Sequence, residues 1–539
     1  MKKIFYAAFA FGLTSVLAGC NNDSGSSNVT ATPIKHLVVI YGENVSFDHY
    51  FGTYPSASNP AGEPAFTAAS GTPSVNGYTT ALLTSNPNLN PANGAGATNP
   101  FRLDRTQAVT ADMNHGDTAE QEAEDNGLAD LFPEHTGTAG TGGSGAFDTT
   151  GLVMGYFDGN TVTAMWNYAQ GFAMSDNAYS DQYGPSTPGA INLIAGSTNG
   201  FTVGASTTSA SVYVNDTEGG KTDIGDVDPA GDTCSSTTSN GSFSGQNIGN
   251  LLNNYNISWG WFQGGFNLTL TNSNGTTGCH RTTQGLAALE TDYIQHHQPF
   301  QYYASTANPT HARPTSTQLI GQPGDAANHQ YDIQDFFTAV KAGNFPAVAF
   351  LKASGYEDAH PGYSDPIDEQ AFVTETINFL EQQPEWSSTA VIIAYDDSDG
   401  WYDHAYTAPT TGSFDATADQ LNGAGKCGAS GTTPVAGGVA GKGPVNGRCG
   451  PGMRQPFLVI SPWAKANYVD HTLITQASVI RFIEDNWLSG QRIGGGSFDA
   501  TTGSIMGMFD FTGGGKTAVL YLDNSTGEVV STPSSTLPQ

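Results

Sequence analysis

The chain has 539 residues, of which 49 are acidic and only 18 are Lys or Arg, so its formal net charge is −31. Binding to a nucleic-acid backbone needs clustered cations, and a chain this poor in them argues against nucleic acid as a partner. Apolar residues make up 38% and glycine contributes 67 residues, which predicts a folded core with long loops. The length allows several domains, although α/β enzymes of this size are often one domain with insertions.

The first residues are typical of a targeting segment. Lys2 and Lys3 precede an apolar stretch, residues 4–17, that is too short to span a membrane. Leu-Ala-Gly-Cys at residues 17–20 resembles the bacterial lipobox, in which the cysteine carries a lipid. We predict a signal peptide over residues 1–19, then a lipidated Cys20 and a polar tether to residue 33. The alternative is an ordinary secretory signal with an incidental Cys20.

This leader predicts an exported protein, anchored to the cell envelope as a lipoprotein or else periplasmic or secreted. Cys20 would be its only membrane attachment, because no interior apolar run is long enough to span a membrane. The other four cysteines predict two disulfides in an oxidising compartment. Three pairings are possible, and Cys234–Cys279 with Cys427–Cys449 is preferred because each pair brackets a loop rich in small residues.

Helical and strand patterns alternate along the part of the chain that we assign to a catalytic domain, residues 34–515. Helix-like spacing falls in residues 160–174, 246–256, 332–343, 368–383 and 473–488. Apolar, strand-like runs start at residues 36, 257, 346, 388 and 456. A helix followed by a strand, repeated, predicts an α/β fold with a central, mostly parallel sheet flanked by helices.

The remaining segments are predicted as loops or as a terminal appendage. Low periodicity marks loop-rich insertions near residues 53–150, 200–245 and 408–450. Residues 517–531 alternate in polarity around Asn-Ser-Thr-Gly, so we predict a C-terminal β-hairpin and tail over residues 516–539.

Two strand-like runs end abruptly at polar side chains. The first ends at Glu43 and Asn44, and the second ends at Asp396 and Asp397. Ligands of open α/β folds bind at the carboxyl ends of strands, and hard divalent cations prefer oxygen ligands. The two pairs therefore predict one metal site. The alternative is that Glu43 caps a turn and that the two aspartates start a loop.

A stiff turn places two hydroxyl groups before an apolar stretch. Ser186 and Thr187 lie between prolines and glycines in residues 181–197, and the following residues 190–196 suit a helix start. A hydroxyl at a helix N-terminus lies at the positive end of the dipole, which favours phosphate. The alternative is a plain turn with a capping serine. The segment is not the GxSxG elbow of esterases.

Histidines form the third group of candidates. His115, His360 and the adjacent pair His296 and His297 lie among acidic or aromatic residues. A histidine is cationic at mildly acidic pH, where it binds phosphate oxygens or protonates a leaving group. Any single histidine of the twelve is more often structural. No Walker loop, HExxH or GxGxxG in a suitable context accompanies them.

The chain resembles the bacterial phosphoesterase family that contains phospholipases C and a branch of acid phosphatases. The resemblance is carried by blocks that occur in the order of the family and cover most of residues 34–490. These blocks are GENVSFDHYFGTYP (42–55), YGPSTPGAINLIAG (183–196), NISWGWF (256–262), HHQPFQYYASTANP (296–309), EDAHPGYSDP (357–366), AYDDSDGWYDH (394–404) and PFLVISPW (456–463). The family implies an alkaline-phosphatase-like sheet flanked by helices.

The resemblance also implies roles for individual residues. Glu43, Asn44, Asp396 and Asp397 are implied as ligands of one divalent ion, of which Ca, Mg, Mn and Zn all remain open. The Ser or Thr that follows Gly-Pro in the family is its nucleophile, and here it is Ser186. Similarity to the acid phosphatase branch implies that His115, His296, His297 and His360 surround the phosphate.

The expected function is hydrolysis of phosphate monoesters at acidic pH through a phosphoseryl intermediate. Phospholipases of the family read Pro-Asn-Arg where this chain has Pro188-Gly189-Ala190, which favours the acid phosphatase branch. Phospholipase C or another phosphodiesterase is the alternative, so the expected substrates are small phosphate esters or phospholipids. Two other classes are weaker alternatives. A catalytically inactive adhesion lipoprotein lacks support because the site residues are intact. A sulfatase lacks support because no CxPxR context occurs. No protein partner is predicted.

Overall fold

The computed structural model describes residues 30–538, apart from residues 142, 208–209, 217–218, 429–444, 514 and 516–518. The predicted signal peptide, Cys20 and most of the tether lie outside the described residues. So do the middle of the 408–450 segment and the start of the predicted C-terminal hairpin. Within the described part of the chain, no helix is long and apolar enough to cross a membrane.

The strands vary from two to seven residues. In chain order they are β1 His36–Gly42, β2 Phe101–Arg102, β3 Gly155–Tyr156, β4 Ala173–Ser175, β5 Ala178–Tyr179, β6 Phe201–Val203, β7 Tyr213–Asn215, β8 Lys221–Asp223, β9 Asp228–Pro229, β10 Asn240–Phe243, β11 Trp259–Gln263, β12 Thr282–Gln284, β13 Leu289–Thr291, β14 Gln330–Asp332, β15 Val348–Lys352, β16 Thr389–Tyr395, β17 Phe457–Ile460, β18 Tyr468–Asp470 and β19 Ile474–Thr475.

Ten α-helices accompany these strands in the described residues, and short 3₁₀ turns join many of the elements. The helices are α1 Phe47–Phe51, α2 Thr80–Thr84, α3 Asp117–Glu124, α4 Phe132–His135, α5 Thr163–Gly171, α6 Ser186–Ala195, α7 Ile248–Asn254, α8 Ile333–Lys341, α9 Pro366–Glu381 and α10 Ala477–Trp487.

A sheet of eight strands forms the centre of the molecule, in the order β14-β11-β15-β1-β16-β17-β4-β18. Seven strands run in one direction, and β17 alone pairs antiparallel with both of its neighbours. The strands β1, β15 and β16 are apolar runs buried on both faces, as expected for a parallel sheet covered by helices. The predicted fold class, a mostly parallel α/β sheet flanked by helices, is confirmed.

The helices begin where local chemistry favours a start. Asp332 ends β14 and caps α8, and its carboxylate accepts a hydrogen bond from the backbone of Gln334 at 3.1 Å. Asp365 caps α9 in the same way, with Pro366 as the first helical residue. The described part of the predicted C-terminal hairpin is a turn closed by a single antiparallel bridge, Leu522 to Val529.

Two disulfides close loops outside the sheet. Cys234 pairs with Cys279 and Cys427 pairs with Cys449, with Cα–Cα distances of 5.3 and 5.7 Å. This is the pairing that the sequence favours. In the chain-entropy account each bridge stabilises the fold by about 3–4 kcal/mol, because it restricts the unfolded chain.

A buried ionic network joins the segments that follow β1 and β16. The Arg454 guanidinium lies 2.9 Å from carboxylate oxygens of both Asp48 and Asp403, and all three side chains are fully buried. His404 lies 2.5 Å from the other oxygen of Asp48. Removing one partner from such a network leaves an unpaired buried charge, so the network holds the two strand ends in a fixed relation.

One buried carboxyl group behind the sheet edge predicts a measurable pH dependence of stability. Glu369 accepts hydrogen bonds from the hydroxyls of Tyr50 and Tyr395, and burial raises the pKa of Glu369 from 4.5 to about 7. The folded state therefore holds this proton more tightly than the unfolded state. The stabilisation is complete below the unfolded pKa near 4.5, and about 3 kcal/mol is lost as the pH rises through 7.

Glu369→Gln removes the titrating group and keeps the shape of the side chain. We expect the unfolding free energy of the variant, relative to wild type, to rise by about 3 kcal/mol between pH 4.5 and pH 8. Urea unfolding followed by tryptophan fluorescence measures this difference. Glu134→Gln, at an exposed position, is the matched control and should follow wild type. Parallel curves for Glu369→Gln and wild type would show that Glu369 is ionised when folded.

Candidate active site

Four polar residues of the two strand ends meet at the carboxyl edge of the sheet. Because β1 and β16 are parallel neighbours with Gly42 opposite Tyr395, the next residues of both strands emerge side by side. The Asn44 backbone N–H donates to Asp396 Oδ1 at 3.2 Å. Glu43, Asn44, Asp396 and Asp397 are at most 1% exposed. Asn44 has a φ of 40°, a left-handed conformation that asparagine tolerates better than most residues.

Ser186 is the first residue of α6, and its hydroxyl points at these side chains. Ser186 Oγ lies 3.1 Å from Glu43 Oε2, 3.1 Å from Asp397 Oδ2 and 3.4 Å from Asn44 Oδ1. The serine is 1% exposed. The structure thus brings together all four residues predicted as ligands and the serine predicted as nucleophile.

Glycine is required at position 189 by the approach of α6 to the strand end. A Cβ atom at Gly189 would lie 2.1 Å from the backbone oxygen of Asp396, far inside contact distance. The residue at which this chain departs from the phospholipase pattern is therefore where the helix touches the Asp396 backbone. In this structure a side chain at position 189 would require α6 or the Asp396 backbone to shift.

The donors fit a hard divalent cation. Three oxygens on Glu43, Asn44 and Asp397 surround the serine hydroxyl, and the buried Asp396 Oδ2 lies 3.6 Å from the Lys352 ammonium. The Asn44 amide has two orientations. In one, its oxygen lies among carboxylate oxygens and 3.4 Å from the Ser186 hydroxyl, where a cation would be bound. In the other, its nitrogen donates to Glu43 Oε2 at 2.8 Å and Asp396 Oδ1 at 3.0 Å, and its oxygen lies 3.0 Å from His360 Nε2. A hard cation is bound by such oxygen sets.

The histidines lie at different distances from this centre. His115 Nδ1 lies 2.9 Å from the Met113 carbonyl, so its Nε2 faces Asn44 at 3.5 Å. His360 Nδ1 lies 2.6 Å from the carbonyl of Pro361, and its ring centroid is 5.8 Å from that of His115. Both rings thus present their Nε2 atoms to the centre.

The adjacent pair, His296 and His297, lies on the side of Glu43. His297 Nδ1 lies 3.2 Å from Glu43 Oε1, while His296 packs against His297 and lies 3.8 Å from Asp228. Of the four histidines predicted to surround the phosphate, three lie against Glu43 or Asn44. His296 lies one layer further out, at the mouth of the site.

Burial divides the histidines into two kinds, which the sequence could not indicate. Burial lowers the pKa of His297 well below its usual value and lowers that of His360 to about 4. Burial opposes protonation of His115 and His296 as well, but neighbouring carboxylates outweigh it and raise both pKa values. Protonation at mildly acidic pH is therefore favoured for His115 and His296 and disfavoured for His297 and His360.

The buried side chain of Glu120 links the turn before Ser186 to the segment that follows β16. Glu120 Oε2 accepts a hydrogen bond from the Gly184 N–H at 3.0 Å, and Oε1 accepts one from Ser398 Oγ at 2.6 Å. Burial raises the pKa of Glu120 to about 7. Sequence reasoning missed this residue, because α3 lies in a segment interpreted as a loop-rich insertion.

Lys352 and Asp358 were also missed. Lys352, the last residue of β15, pairs with Glu43 Oε1 and lies 3.6 Å from Asp396 Oδ2. Asp358 Oδ2 lies 3.7 Å from His297 Nδ1. The signal for Lys352 was present in the sequence as a cation at the end of an apolar strand, like the acidic pairs at the ends of β1 and β16.

A cavity of about 500 Å³ leads to the centre from the surface. Its lining includes His115, His296, His360 and Tyr363, together with the acidic residues Asp112, Asp226 and Glu290. Because these acids repel a phosphate, the positive charge that binds it has to come from other groups of the site. A cavity of about 530 Å³ lies elsewhere, around Arg281 and Asp292, which pair with each other at 2.8 Å and do not form a comparable ligand set.

The site combines oxygen ligands with a hydroxyl at the start of a helix, at the carboxyl edge of a parallel sheet. This arrangement is typical of metal-assisted hydrolases. The Phosphoesterase family model matches residues 34–488, and the chain belongs to that family. It is accordingly a hydrolase that acts on phosphoester bonds.

Several relatives are similar to this chain. Phospholipase C A of Mycobacterium tuberculosis is 24% identical over 465 residues, which cover 84% of this chain and 72% of that protein. The non-hemolytic phospholipase C of Pseudomonas aeruginosa is 33% identical over 152 residues, 28% of this chain and 21% of that protein. Non-specific phospholipase C5 of Arabidopsis thaliana is 29% identical over 151 residues, 26% of this chain and 25% of that protein.

Proposed function

We propose that this chain hydrolyses phosphate monoesters at acidic pH, with Ser186 as the nucleophile and one divalent ion as cofactor. The observation that carries the proposal is the position of Ser186 Oγ, within 3.1–3.4 Å of three oxygens of the ligand set. The proposed ligands of the ion are Glu43, Asn44, Asp396 and Asp397. Ca, Mg, Mn and Zn are all compatible with these ligands.

The proposed reaction has two steps. Ser186 Oγ attacks the phosphorus in line, the bond from phosphorus to the leaving alcohol breaks, and a phosphoserine forms. The serine proton passes to a carboxylate of Glu43 or Asp397, each 3.1 Å away. Water then attacks the phosphoserine, releases phosphate and restores the hydroxyl. A bound divalent ion would supply positive charge to a phosphoryl oxygen and lower the pKa of the serine hydroxyl.

The histidines supply charge and a proton in this scheme. His115 has a raised pKa and an Nε2 that faces Asn44 at the centre, so it protonates the leaving alcohol at acidic pH. His296 adds positive charge to the cavity, whose lining also contains the acids Asp112, Asp226 and Glu290. His297 and His360, neutral in the same range, hold their single N–H at Nδ1, toward Glu43 Oε1 and the Pro361 carbonyl, so their Nε2 atoms carry lone pairs and do not donate to the phosphate.

A second candidate is phospholipase C or another phosphodiesterase. The relatives carry phospholipase C names, which favours it. The monoesterase is preferred because Gly189 and Ala190 stand in place of the Asn-Arg pair of the phospholipase pattern. Small phosphate esters are therefore the proposed substrates, with phospholipids as the alternative.

A substrate panel separates the two candidates. Hydrolysis of p-nitrophenyl phosphate, bis(p-nitrophenyl) phosphate and phosphatidylcholine would be followed across pH, each with and without chelator. We expect the monoester to be preferred, most strongly at acidic pH, and chelator to abolish its hydrolysis. A preference for phosphatidylcholine or the diester would reject the monoesterase and favour phospholipase C.

We also propose that the protein is exported, with residues 1–19 removed and Cys20 lipidated. The two disulfides support an oxidising compartment. A periplasmic or secreted form without lipid is the alternative. Mass spectrometry of the processed N-terminus from the native host separates these outcomes, because a lipidated cysteine carries the mass of its acyl chains.

A further inference from the structure

We propose that Lys352 supplies a fixed positive charge at a second cation position beside the proposed metal site. The inference rests on the proposed function and deepens it, because it predicts that the wild-type protein binds one divalent ion and that loss of Lys352 creates a place for another. Lys352 is 1% exposed and ends β15, the strand next to β1 in the sheet. It is absent from the set of ligands proposed above.

The two oxygens of Glu43 face different partners. Oε2 lies 3.1 Å from the Ser186 hydroxyl, whereas Oε1 pairs with the Lys352 ammonium. Asp396 is divided in a similar way, since Oδ1 accepts the backbone N–H of Asn44 and Oδ2 lies 3.6 Å from the ammonium. Glu43 thus lies between the serine side of the site and the lysine side, as a bridging carboxylate does between two ions, and Asp396 turns its second oxygen toward the lysine.

The lysine side has its own set of metal-binding groups. Atoms of Glu43, His297 and Asp358 that could ligate a metal lie within 4.8 Å of one another, and all three residues are buried. His297 Nδ1 lies 3.2 Å from Glu43 Oε1 and 3.7 Å from Asp358 Oδ2. Two carboxylates and an imidazole form a typical set for Zn²⁺ or Mn²⁺.

The negative charge of three buried carboxylates explains why a cation is needed at this position. Glu43, Asp358 and Asp396 lie close together in the interior, and burying such carboxylates without a positive partner is unfavourable. In two-metal sites a second ion about 3.5–4 Å from the first fills this need. Here the ammonium of Lys352 meets it with one positive charge and N–H donors, and the ring of Tyr41 lies 5.4 Å from the ammonium.

The proposal predicts that loss of Lys352 increases the number of divalent ions bound per chain. Lys352→Ala removes the ammonium and leaves Glu43, His297 and Asp358 in place. We expect wild type to bind one Mn²⁺ or Zn²⁺ ion per chain, and Lys352→Ala to bind two. The double variant Lys352→Ala with Asp358→Asn removes a ligand and should return to one. Isothermal titration calorimetry, with elemental analysis of the dialysed protein, measures the stoichiometry independently of activity.

Additional variants keep the test decisive if Lys352→Ala unfolds. Lys352→Gln preserves most of the volume without the charge and should also bind two ions, whereas Lys352→Arg retains the charge and should bind one. Circular dichroism and the Tm confirm the fold of each. A wild-type stoichiometry of two, or one ion in both folded neutral variants, overturns the role of Lys352. No bound ion in wild type would instead reject the metal site of the proposed function.

Discussion

Ser186→Ala is expected to lower kcat for p-nitrophenyl phosphate by at least about 10³-fold, with a much smaller change in KM. The variant removes the atom proposed to attack phosphorus and leaves the carboxylates that bind the ion. Steady-state kinetics measure the loss. Acid-quenched reactions with labelled substrate should trap phosphoserine in wild type and none in the variant. A variant with near wild-type turnover would exclude Ser186 as the nucleophile.

Two neighbouring variants make this result specific. Ser186→Thr keeps a hydroxyl at the start of α6 and should recover a measurable part of the activity. Thr187→Val removes the adjacent hydroxyl, which within the described residues is hydrogen-bonded to none of the proposed ligands, and should leave kcat within about tenfold of wild type. Equal losses for Thr187→Val and Ser186→Ala would point to disruption of the helix start.

Asp397→Asn is expected to weaken binding of the divalent ion by at least about 100-fold and to lower activity in parallel. Asp397 Oδ2 lies 3.1 Å from Ser186 Oγ, and Oδ1 accepts the Asp399 backbone N–H at 2.6 Å. The amide keeps the size of the side chain but loses the negative charge that a hard cation prefers. Calorimetric titration of the chelator-treated protein gives the affinity.

The matched control for this substitution is Asp510→Asn at an exposed loop position. It changes the net charge by the same amount and should leave both affinity and kcat unchanged. An Asp397→Asn protein that binds the ion as tightly as wild type would contradict the ligand assignment. Excess ion should restore part of the activity of Asp397→Asn, because the defect lies in binding.

The fold class and the centre of the site were readable from local patterns. Apolar runs that stop at Glu43-Asn44 and at Asp396-Asp397 predict buried strands with polar ends. Parallel strands place their carboxyl ends on one edge, so the two pairs could be brought together without knowledge of their register. The prolines and glycines around Ser186 made it a candidate in a stiff turn before a helix, and the family resemblance implied its role as the nucleophile.

Other members of the site depend on which strands become neighbours. Lys352 meets Glu43 only because β15 pairs with β1, and Glu120 meets Gly184 and Ser398 only through the packing of α3. The charges of the histidines are also tertiary properties, since burial and the carboxylates facing each ring set its pKa.

The sequence by itself thus determined the α/β fold, the preferred disulfide pairing and the residues that lie at the two strand ends. These features depend on hydrophobic periodicity, turn chemistry and cysteine spacing, all of which are local. The tertiary structure decided that Gly189 allows α6 to approach Asp396, and that a lysine ammonium lies among the buried carboxylates. Such contacts join residues far apart in the chain, and close packing of the folded interior is what selects them.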